Sequence, residues 1–444
     1  MTKSKNIFVC SSCGHSSSKW QGKCFQCGAF NSFIEEVNVS SSSPTKANIP
    51  DGSIKKIADV GNNLTRASLG IKELNDLLAG GYVPGQVILL AGEPGIGKST
   101  LLLQVANLTN SHYVCGEESP QQVATRAMRM GVSAENITLL DTRDVDSILS
   151  YLQNTSVKAQ QNPLLIVDSI QSVSSSHIKS TAGSISQVQY CASKLSEAAK
   201  KLGVAMVFVG QVTKSGYIAG PKLLEHIVDT VVSFEGDRAG DVRILRVQKN
   251  RFGPSGGLEL FEMSSGGLVV LNDYTERLIA RHSDDSPGSV LSVVVEGVRP
   301  LLVEVQALNK RSVFPNPRHV VNGVSPKRVE MLLAVIERRL GINTGNYDIY
   351  VNISGGINVH DTALDLPIVL AVVSVVKNKP LPAGVVAFGE VGLMGELRKA
   401  TSNDKRKEEA EKRGCKLVID SDFGSDLPSI VNKLKLGASN RKEG

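Results

Sequence analysis

The sequence predicts a multidomain α/β protein in three parts. A short N-terminal segment holds two pairs of cysteines, buried strands alternate with amphipathic helices through the middle of the chain, and an α+β pattern follows a second polar segment. With 444 residues, of which 41% are hydrophobic, the chain is long enough for two or three domains with full cores.

The composition narrows the class of protein. Lys and Arg number 49 against 43 Asp and Glu, a formal charge of +6 that indicates an anionic partner only where cations cluster. No apolar run reaches the roughly 20 residues of a membrane span, and the N-terminus lacks the apolar core of a signal peptide. Four of the seven cysteines lie within the first 28 residues, which favours a cytoplasmic, reducing setting.

Residues 1–34 predict a zinc finger with the ligands Cys10, Cys13, Cys24 and Cys27. The C-x2-C spacing of each pair suits a tetrahedral ion, and so short a segment needs the metal to fold. The Zn²⁺ would be structural, because four Cys ligands leave no open position; two disulfides or reduced cysteines are the alternative. Lysines without any carboxylate fit contact with nucleic acid or equally with a protein. The Ser-rich residues 35–57 predict a linker.

Residues 58–273 predict a mainly parallel sheet covered on both faces, because continuous apolar strands alternate with helices. "GEPGIGKST" fits G-x4-G-K-[ST] between a buried strand and a helix N-terminus, where backbone N–H groups bind phosphate. Lys98 would reach the β- and γ-oxygens of ATP, and Ser99 would ligate Mg²⁺. The predicted nucleotide-binding residues are Gly92, Glu93, Pro94, Gly95, Ile96, Gly97, Lys98, Ser99 and Thr100, with Asp168 at the end of "PLLIVD".

Polar side chains at two other strand ends predict hydrolysis. Glu117 and Glu118 follow "HYVCG", and a carboxylate there can orient and deprotonate the attacking water; the sequence leaves open which of the two does so. Gln211 ends "VAMVFVGQ", where an amide can sense the γ-phosphate. For each residue, an ordinary surface side chain is the alternative.

Lys249 and Arg251 end the apolar strand "VRILRVQ" as a stiff pair of cations. Phosphoryl transfer needs positive charge on the transferred oxygens, often from a neighbouring subunit. A pair so far from the P-loop in sequence suits that role in a ring or filament, whereas a solvated basic turn is the alternative.

Candidate DNA contacts lie in two regions. The polar stretches "SVSSSHIKSTAGS" and "TKSGYIAGPK" suit contacts to a phosphate strand, and Lys214 and Lys222 are the predicted cations. A second group lies between Arg299 and Glu330, where cations outnumber carboxylates; a merely solvated face is the alternative. Its members are Arg299, Lys310, Arg311, Arg318, Lys327 and Arg328.

The C-terminal part begins after a predicted linker, 274–287, and an α+β domain is predicted over 288–444. "SPKRVEMLLAVIERRLG" predicts a helix with Ser325 as N-cap and Gly341 just past its end. A later helix is predicted to start near Asp365, with Pro367 in its first turn.

The order "GEPGIGKST", "GEES", "LLIVDSIQ", "TKSGYIAGPKLLEHIVDTVVSFEGD" and "KNRFG" resembles the bacterial RadA (Sms) family of RecA-superfamily DNA repair and recombination proteins. The resemblance covers essentially the whole chain. It implies a zinc finger, a RecA-like P-loop ATPase core over 58–273 and a Lon-protease-like domain over 288–444. It also implies a hexameric, DnaB-like ATPase that encircles single-stranded DNA, acts on branched recombination intermediates by branch migration, and works with RecA.

Several individual positions matter for that resemblance. By resemblance, Lys249 and Arg251 are the KNRFG cations that complete a neighbouring subunit's ATP site, and Gln211 stands where the family usually has His. In the Lon-like domain, the nucleophile position holds Leu364, give or take one place, and Thr362 is the only hydroxyl nearby. Proteolysis is therefore not expected. The competing functions are an ATP-driven DNA motor, a nucleotide-gated switch without translocation, and an ATP-dependent protease.

Overall fold

The computed structural model describes residues 6–10, 16–26, 28, 30, 32–37, 65–153, 160–211, 224–236, 242–282, 286–297, 299–313 and 316–436. The chain divides into two compact units, Met1–Asn63 and Leu64–Gly444. The predicted zinc ligands Cys13 and Cys27 and the predicted DNA contacts Lys214 and Lys222 lie outside the described residues.

The first unit contains a small antiparallel sheet. Its strands are β1 (Asn6–Cys10), β2 (Ser16–Ser17) and β3 (Phe33–Val37), in the order β2-β1-β3. Cys24 is fully buried and packs with Phe33 and Phe8, the apolar residues at the centre of this module. Cys10 ends β1, so two of the four predicted ligands lie in the described part. Strand β3 runs into the segment predicted as a linker.

The larger sheet of the second unit has nine strands in the order β12-β11-β10-β9-β4-β8-β7-β5-β6. The six strands from β9 to β6 in this order are parallel, as predicted, and β10, β11 and β12 extend the sheet in antiparallel pairs. The strands are β4 (Val87–Gly92), β5 (His112–Cys115), β6 (Thr138–Leu140), β7 (Leu164–Asp168), β8 (Ala205–Gln211), β9 (Thr230–Glu235), β10 (Val242–Asn250), β11 (Leu258–Ser264) and β12 (Gly267–Val270).

Helices cover both faces of this sheet, because its central strands are apolar on both sides. Ile88 and Leu90 face one core and Val87 and Leu89 face the other, as the period of two along a strand requires. The helices are α1 (Lys72–Leu77), α2 (Lys98–Thr109), α3 (Pro120–Arg129), α4 (Val145–Leu152) and α5 (Ile185–Leu202).

The polar stretch after Asp168 is held in place by one side chain. Gln187 on α5 is buried, and its amide contacts the backbone of residues 175, 178 and 180. The sequence interpretation of this stretch as a polar segment suited to contacts with a phosphate strand did not include this anchor. The anchor is a glutamine on the following helix, where polar residues usually face solvent.

The segment 274–287, which was predicted as a linker, is partly helical in the structure. Its first part forms α6 (Tyr274–Arg281), with Tyr274 and Leu278 buried in the core of the C-terminal domain. These two residues are four apart and so share one face of a helix. The charged residues between them made the segment look polar throughout, yet they occupy only the other face.

The C-terminal domain has a six-stranded mixed sheet of the order β15-β16-β14-β13-β17-β20 and a short ribbon, β18 with β19. The strands are β13 (Ser289–Glu296), β14 (Arg299–Arg311), β15 (His319–Asn322), β16 (Tyr347–Ile353), β17 (Val385–Ala387), β18 (Glu390–Val391), β19 (Leu397–Arg398) and β20 (Leu417–Ile419). The helices are α7 (Pro326–Leu340), α8 (Asp365–Lys377), α9 (Asn403–Lys412) and α10 (Leu427–Lys433).

Both helices predicted in detail for this domain are confirmed. Helix α7 has Ser325 as N-cap and Gly341 as a left-handed C-cap, and α8 starts at Asp365 with Pro367 in its first turn. In the described part of the chain, none of the helices combines the length and the apolarity needed to cross a membrane.

Candidate nucleotide-binding site

A cavity of about 280 Å³ lies where the parallel strands of the large sheet end. The carboxyl ends of β4, β5, β7 and β8 all meet at this edge, which is where open α/β sheets bind ligands. The lining residues are Pro94, Gly95, Gly97, Lys98, Ser99, Thr100, Tyr113, Cys115, Glu117, Glu118, Val123, Arg126, Asp168, Val209 and Gln211. The fold therefore brings the predicted P-loop, Asp168, Glu117 and Gln211 into one site.

The loop between β4 and α2 has the backbone that phosphate binding requires. Gly97 is the N-cap of α2 with φ +117°, and Gly95 has φ +78° with open space where a side chain would begin. A Cβ at Gly92 would lie 2.6 Å from the carbonyl oxygen of Phe234. These glycines leave backbone N–H groups and the start of α2 accessible to an anion.

Lys98 lies inside this loop. Its Nζ donates hydrogen bonds to the carbonyl oxygens of Gly92 and Glu93, each at 2.8 Å, and only 6% of the residue is exposed. Burial lowers the pKa of Lys98, although the nearby carboxylates of Asp168 and Glu117 oppose this shift. A phosphate group bound at the loop would provide the negative charge that a buried ammonium needs.

Asp168 ends β7 and is 8% exposed. Its Oδ2 accepts a hydrogen bond from the hydroxyl of Tyr113, on the neighbouring strand β5. Its carboxylate and the Ser99 hydroxyl provide the hard oxygen donors that Mg²⁺ prefers, so these residues fit the predicted metal. The sequence reasoning did not select Tyr113, because a tyrosine inside an apolar strand gives no signal of its own.

Glu117 and Gln211 are in direct contact. Gln211 Nε2 donates to Glu117 Oε1 at 2.6 Å, and the Ser169 hydroxyl donates to the same oxygen. Glu118 instead forms an ion pair with Arg126 on α3. The arrangement favours Glu117 as the carboxylate that activates water, since the Glu118 charge is already neutralised by its partner.

Gly116 sets the position of Glu117. Its N–H donates to the carbonyl oxygen of Asp168 at 2.8 Å, and a Cβ at this residue would lie 2.0 Å from Ser172 Oγ and 2.8 Å from that carbonyl oxygen. The backbone before Glu117 therefore lies directly against the end of β7, with no room for a side chain.

Arg243 on β10 is a further residue that the sequence reasoning missed. It is 7% exposed, and its Nε donates to the carbonyl oxygen of Ile96 in the P-loop at 3.2 Å. The antiparallel course of β10 brings its first residues to the P-loop edge of the sheet. Only the strand pairing reveals this contact, because the two residues are 147 positions apart in the chain.

Lys249 and Arg251 lie at the opposite edge of the sheet from their own P-loop. Arg251 pairs with the buried carboxylate of Asp229 at 3.4 Å, and Asp229 also accepts a hydrogen bond from the N–H of Val87, the first residue of β4. The P-loop follows the last residue of β4, so a strand of about 16 Å separates the two, at about 3.3 Å per residue. These cations cannot reach the nucleotide site of their own chain.

The Lys249 ammonium is held by backbone groups. Its Nζ donates to the carbonyl oxygens of Glu225 and Val228, the latter at 2.8 Å. Burial lowers the pKa of Lys249, and the adjacent Arg251 cation adds to this shift. Lys249 thus stabilises the backbone beside Arg251, whose side chain is 51% exposed.

The cations of the C-terminal domain do not form one patch. Arg299 begins β14 and pairs with Glu259, whereas Lys310 and Arg311 end that strand, about 36 Å further along it. Arg328 is paired with the buried Asp365 and is tied to the domain core. The clustering of these cations in the sequence therefore predicted a larger basic surface than the structure has. Strand β14 is extended, so the cations at its two ends lie far apart.

Three of the predicted contacts remain near one another. Lys310 and Arg311 are exposed at the end of β14, and Lys310 is paired in register with Asp348. Arg318 is also exposed, and its backbone N–H donates to the Asp348 carboxylate at 2.9 Å. These three exposed cations at one end of the sheet remain predicted DNA contacts.

Leu364, at the position where the sequence resemblance predicted a Lon-type nucleophile, is part of the core. Leu364 is 1% exposed, in a 3-10 turn (Thr362–Leu364) before α8, and Thr362 Oγ1 contacts Glu390 Oε2 at 3.3 Å. Arg406 lies beside this turn, fully buried, with Nη2 2.6 Å from Asp361 Oδ2. Because an arginine stays protonated, it cannot act as the base that a Ser–Lys dyad requires.

Known proteins match along nearly the full chain. The DNA repair protein RadA of Rickettsia bellii is 39% identical over 455 residues, which cover 99% of this chain and 100% of that protein. The chain belongs to the RadA family of DNA repair proteins. RadA of Aquifex aeolicus and RadA of Bacillus subtilis are 42% and 41% identical, each over 94% of this chain and 94% and 93% of their own lengths.

Family models match two parts of this chain. The zinc-ribbon model described as "Rubredoxin metal binding domain" matches residues 8–35, and a family of unknown function matches residues 66–256. The coarser part of the predicted fold class is confirmed: a zinc ribbon, an α/β core that carries the P-loop on a mainly parallel sheet, and an additional domain with a sheet of its own.

Two solved structures resemble about half of this chain. A DnaB-like replicative helicase is 17% identical over 49% of this chain and 64% of its own, with a TM-score of 0.41. A KaiC-like protein from Pyrococcus horikoshii is 22% identical over 47% of this chain and 100% of its own, with a TM-score of 0.40.

Proposed function

We propose that this protein is an ATP-dependent DNA-binding motor, a DnaB-like helicase that promotes branch migration and the processing of recombination intermediates in homologous recombination and repair. The observation that carries the proposal is the contact between Glu117 and Gln211 inside the P-loop cavity. It joins the residue suited to activate water with the strand that leads into residues 212–223, where Lys214 and Lys222 are the predicted DNA contacts.

The chemistry assigned to the site is ATP hydrolysis. Lys98 and the N–H groups of the P-loop hold the phosphates, and Glu117 orients and deprotonates the attacking water. Ser99 and Asp168 would hold Mg²⁺, which neutralises charge on the phosphate oxygens when bound. The amide of Gln211 donates to Glu117 and is the element that links the occupancy of the site to the following segment.

The assembly assigned to the protein is a homo-hexameric ring around single-stranded DNA, acting with RecA. The placement of Arg251 at the far edge of the sheet supports this, because the cation is half exposed yet remote from its own P-loop. In a ring, that edge of one subunit faces the nucleotide site of the next. The structural Zn²⁺ held by the N-terminal cysteines stabilises the ribbon.

The test is steady-state ATP hydrolysis with and without single-stranded DNA, with Lys98→Ala as background. We expect DNA to stimulate the rate several-fold, and Arg251→Ala to abolish the stimulation. Arg277→Ala is the matched control, because Arg277 is an exposed arginine paired with Glu262 and Asp273. A rate indifferent to DNA would contradict the motor and favour a nucleotide-gated switch.

A further inference from the structure

Arg66 joins two turns that are far apart in the chain. Its Nη1 donates to the carbonyl oxygens of Leu78 at 2.9 Å and Gly81 at 3.0 Å, and its Nη2 donates to the carbonyl oxygen of Phe252. The first two acceptors lie just after α1, and the third lies directly after Arg251. One guanidinium therefore binds the end of α1 to the KNRFG turn.

The backbones of the same two turns are in close contact. A Cβ at Gly253 would lie 2.7 Å from the Cβ of Ala79, and a Cβ at Gly81 would lie 2.2 Å from the carbonyl oxygen of Ala67. Ala67 and Tyr82 also exchange two backbone hydrogen bonds, at 2.8 and 2.9 Å. The segment that carries Arg66 is thus fixed to the turn after α1, and that turn is fixed to Gly253.

The contacts require an arginine. Carbonyl groups at the end of a helix lack partners within the helix, and Arg66 satisfies the one of Leu78 while it also holds Phe252. A planar guanidinium presents five N–H donors in a fixed fork, whereas a lysine presents a single ammonium group. Lysine would keep the charge but could not reproduce all three contacts in this geometry.

We propose that Arg66 is a positioning residue for Arg251. It acts through the carbonyl group of Phe252 and fixes the turn on which the Arg251 guanidinium projects towards the neighbouring subunit; this step rests on the proposed action of Arg251 in trans. The backbone of the turn also donates a hydrogen bond from the Arg251 N–H to the carbonyl oxygen of Asp229 at 3.1 Å and one from the Phe252 N–H to Asn250 Oδ1 at 3.0 Å.

The first test measures amide hydrogen exchange in the full-length protein. In Arg66→Ala we expect exchange across residues 250–256 to accelerate about tenfold, the effect of losing one hydrogen bond to a charged group, while β4 stays protected. Arg66→Lys should give an intermediate acceleration, and Arg277→Ala none. If β4 also exchanges faster in Arg66→Ala, the substitution has destabilised more than the turn. Exchange in the turn and in β4 is then compared in Arg66→Lys instead. Unchanged exchange in the turn would overturn the proposal.

The second test mixes subunits. Lys98→Ala lacks a working P-loop but keeps its KNRFG turn, and Arg66→Ala has the opposite defect. We expect an equimolar mixture to hydrolyse ATP several-fold faster than the mean of the two variants alone, with Arg251→Ala plus Lys98→Ala as the reference mixture. Recovery in the reference mixture alone would overturn the role of Arg66. No recovery in the reference mixture would overturn the action in trans instead, and the exchange result would then decide on Arg66 by itself.

Discussion

The hydroxyl of Tyr113 donates a hydrogen bond to Oδ2 of Asp168 at the wall of the nucleotide-binding cavity. Both residues are buried. Burial raises the pKa of Tyr113 well above its ordinary value, and the adjacent Asp168 carboxylate adds to this shift, so the phenol stays protonated. A donor that orients a metal-binding carboxylate affects metal affinity without touching the metal.

Tyr113→Phe should therefore weaken the affinity of the nucleotide site for Mg²⁺. We expect the Mg²⁺ concentration for half-maximal ATP hydrolysis to rise about 10-fold or more, the range found when such outer partners are removed. Tyr151→Phe is the matched control, because its hydroxyl contacts His112 Nδ1 at 2.9 Å, away from the cavity lining. Equal Mg²⁺ dependence in the two variants would contradict the role of Tyr113.

Substitutions of Glu117 and of Glu118 should have different effects on the rate of single-turnover ATP hydrolysis. Glu117→Gln should slow the chemical step by about 100-fold or more, the contribution typical of a general base, and should leave binding of a fluorescent ATP analogue intact. Glu118→Gln should have a much smaller effect, because Glu118 is paired with Arg126. A larger loss in Glu118→Gln would reverse the assignment.

Gly116→Ala should disturb the site through packing alone. The added methyl group meets Ser172 Oγ and the Asp168 carbonyl, and overpacking of this kind costs about 1–3 kcal/mol. We expect a lower free energy of unfolding in urea and a reduced rate of hydrolysis, since the backbone before Glu117 must move. Gly266→Ala is the control, because its nearest atom lies 4.0 Å away; similar losses in both variants would contradict the argument.

Glu304 should make the C-terminal domain sensitive to acid. Burial by itself raises the pKa of Glu304, but hydrogen bonds from His282, Ser289 and Ser354 outweigh it and hold the pKa below the ordinary 4.5. A depressed pKa contributes stability that is present above the ordinary value and is lost as the pH falls through the folded-state value. The free energy of unfolding should therefore fall, on the order of 1 kcal/mol, below about pH 4.5.

The measurement is urea unfolding at neutral and acidic pH, followed by a probe in the C-terminal domain. Glu304→Gln removes the titrating group, so its unfolding free energy should be lower at neutral pH and should change less on acidification. An unchanged pH dependence in Glu304→Gln would assign the acid sensitivity to other carboxylates.

Much of the fold and site could be predicted because the signals are local. The P-loop is one continuous strand, turn and helix, so its residues specify it without help from the rest of the chain. Glu117, Asp168 and Gln211 each end an apolar strand, and parallel strands bring their carboxyl ends to one edge. These three distant residues line one cavity.

Other features depended on contacts between distant segments. The polar linker became helix α6 because Tyr274 and Leu278 found a core to pack against. The cations predicted to form one basic patch are separated because β14 is extended and because Arg328 pairs with the buried carboxylate of Asp365. Amino-acid composition cannot predict these contacts, since they depend on which segments pack against each other in the folded chain.

The sequence by itself therefore determined the three-part organisation, the family and the phosphate-binding loop, because each rests on neighbouring residues or on strand ends. Only the tertiary structure decided which edge of the sheet holds Arg251, which tyrosine supports Asp168 and which arginine holds the KNRFG turn. Arg66 and Phe252 are 186 positions apart and meet through hydrogen bonds to backbone carbonyls. Every residue carries a carbonyl group, so this contact leaves no pattern in the sequence.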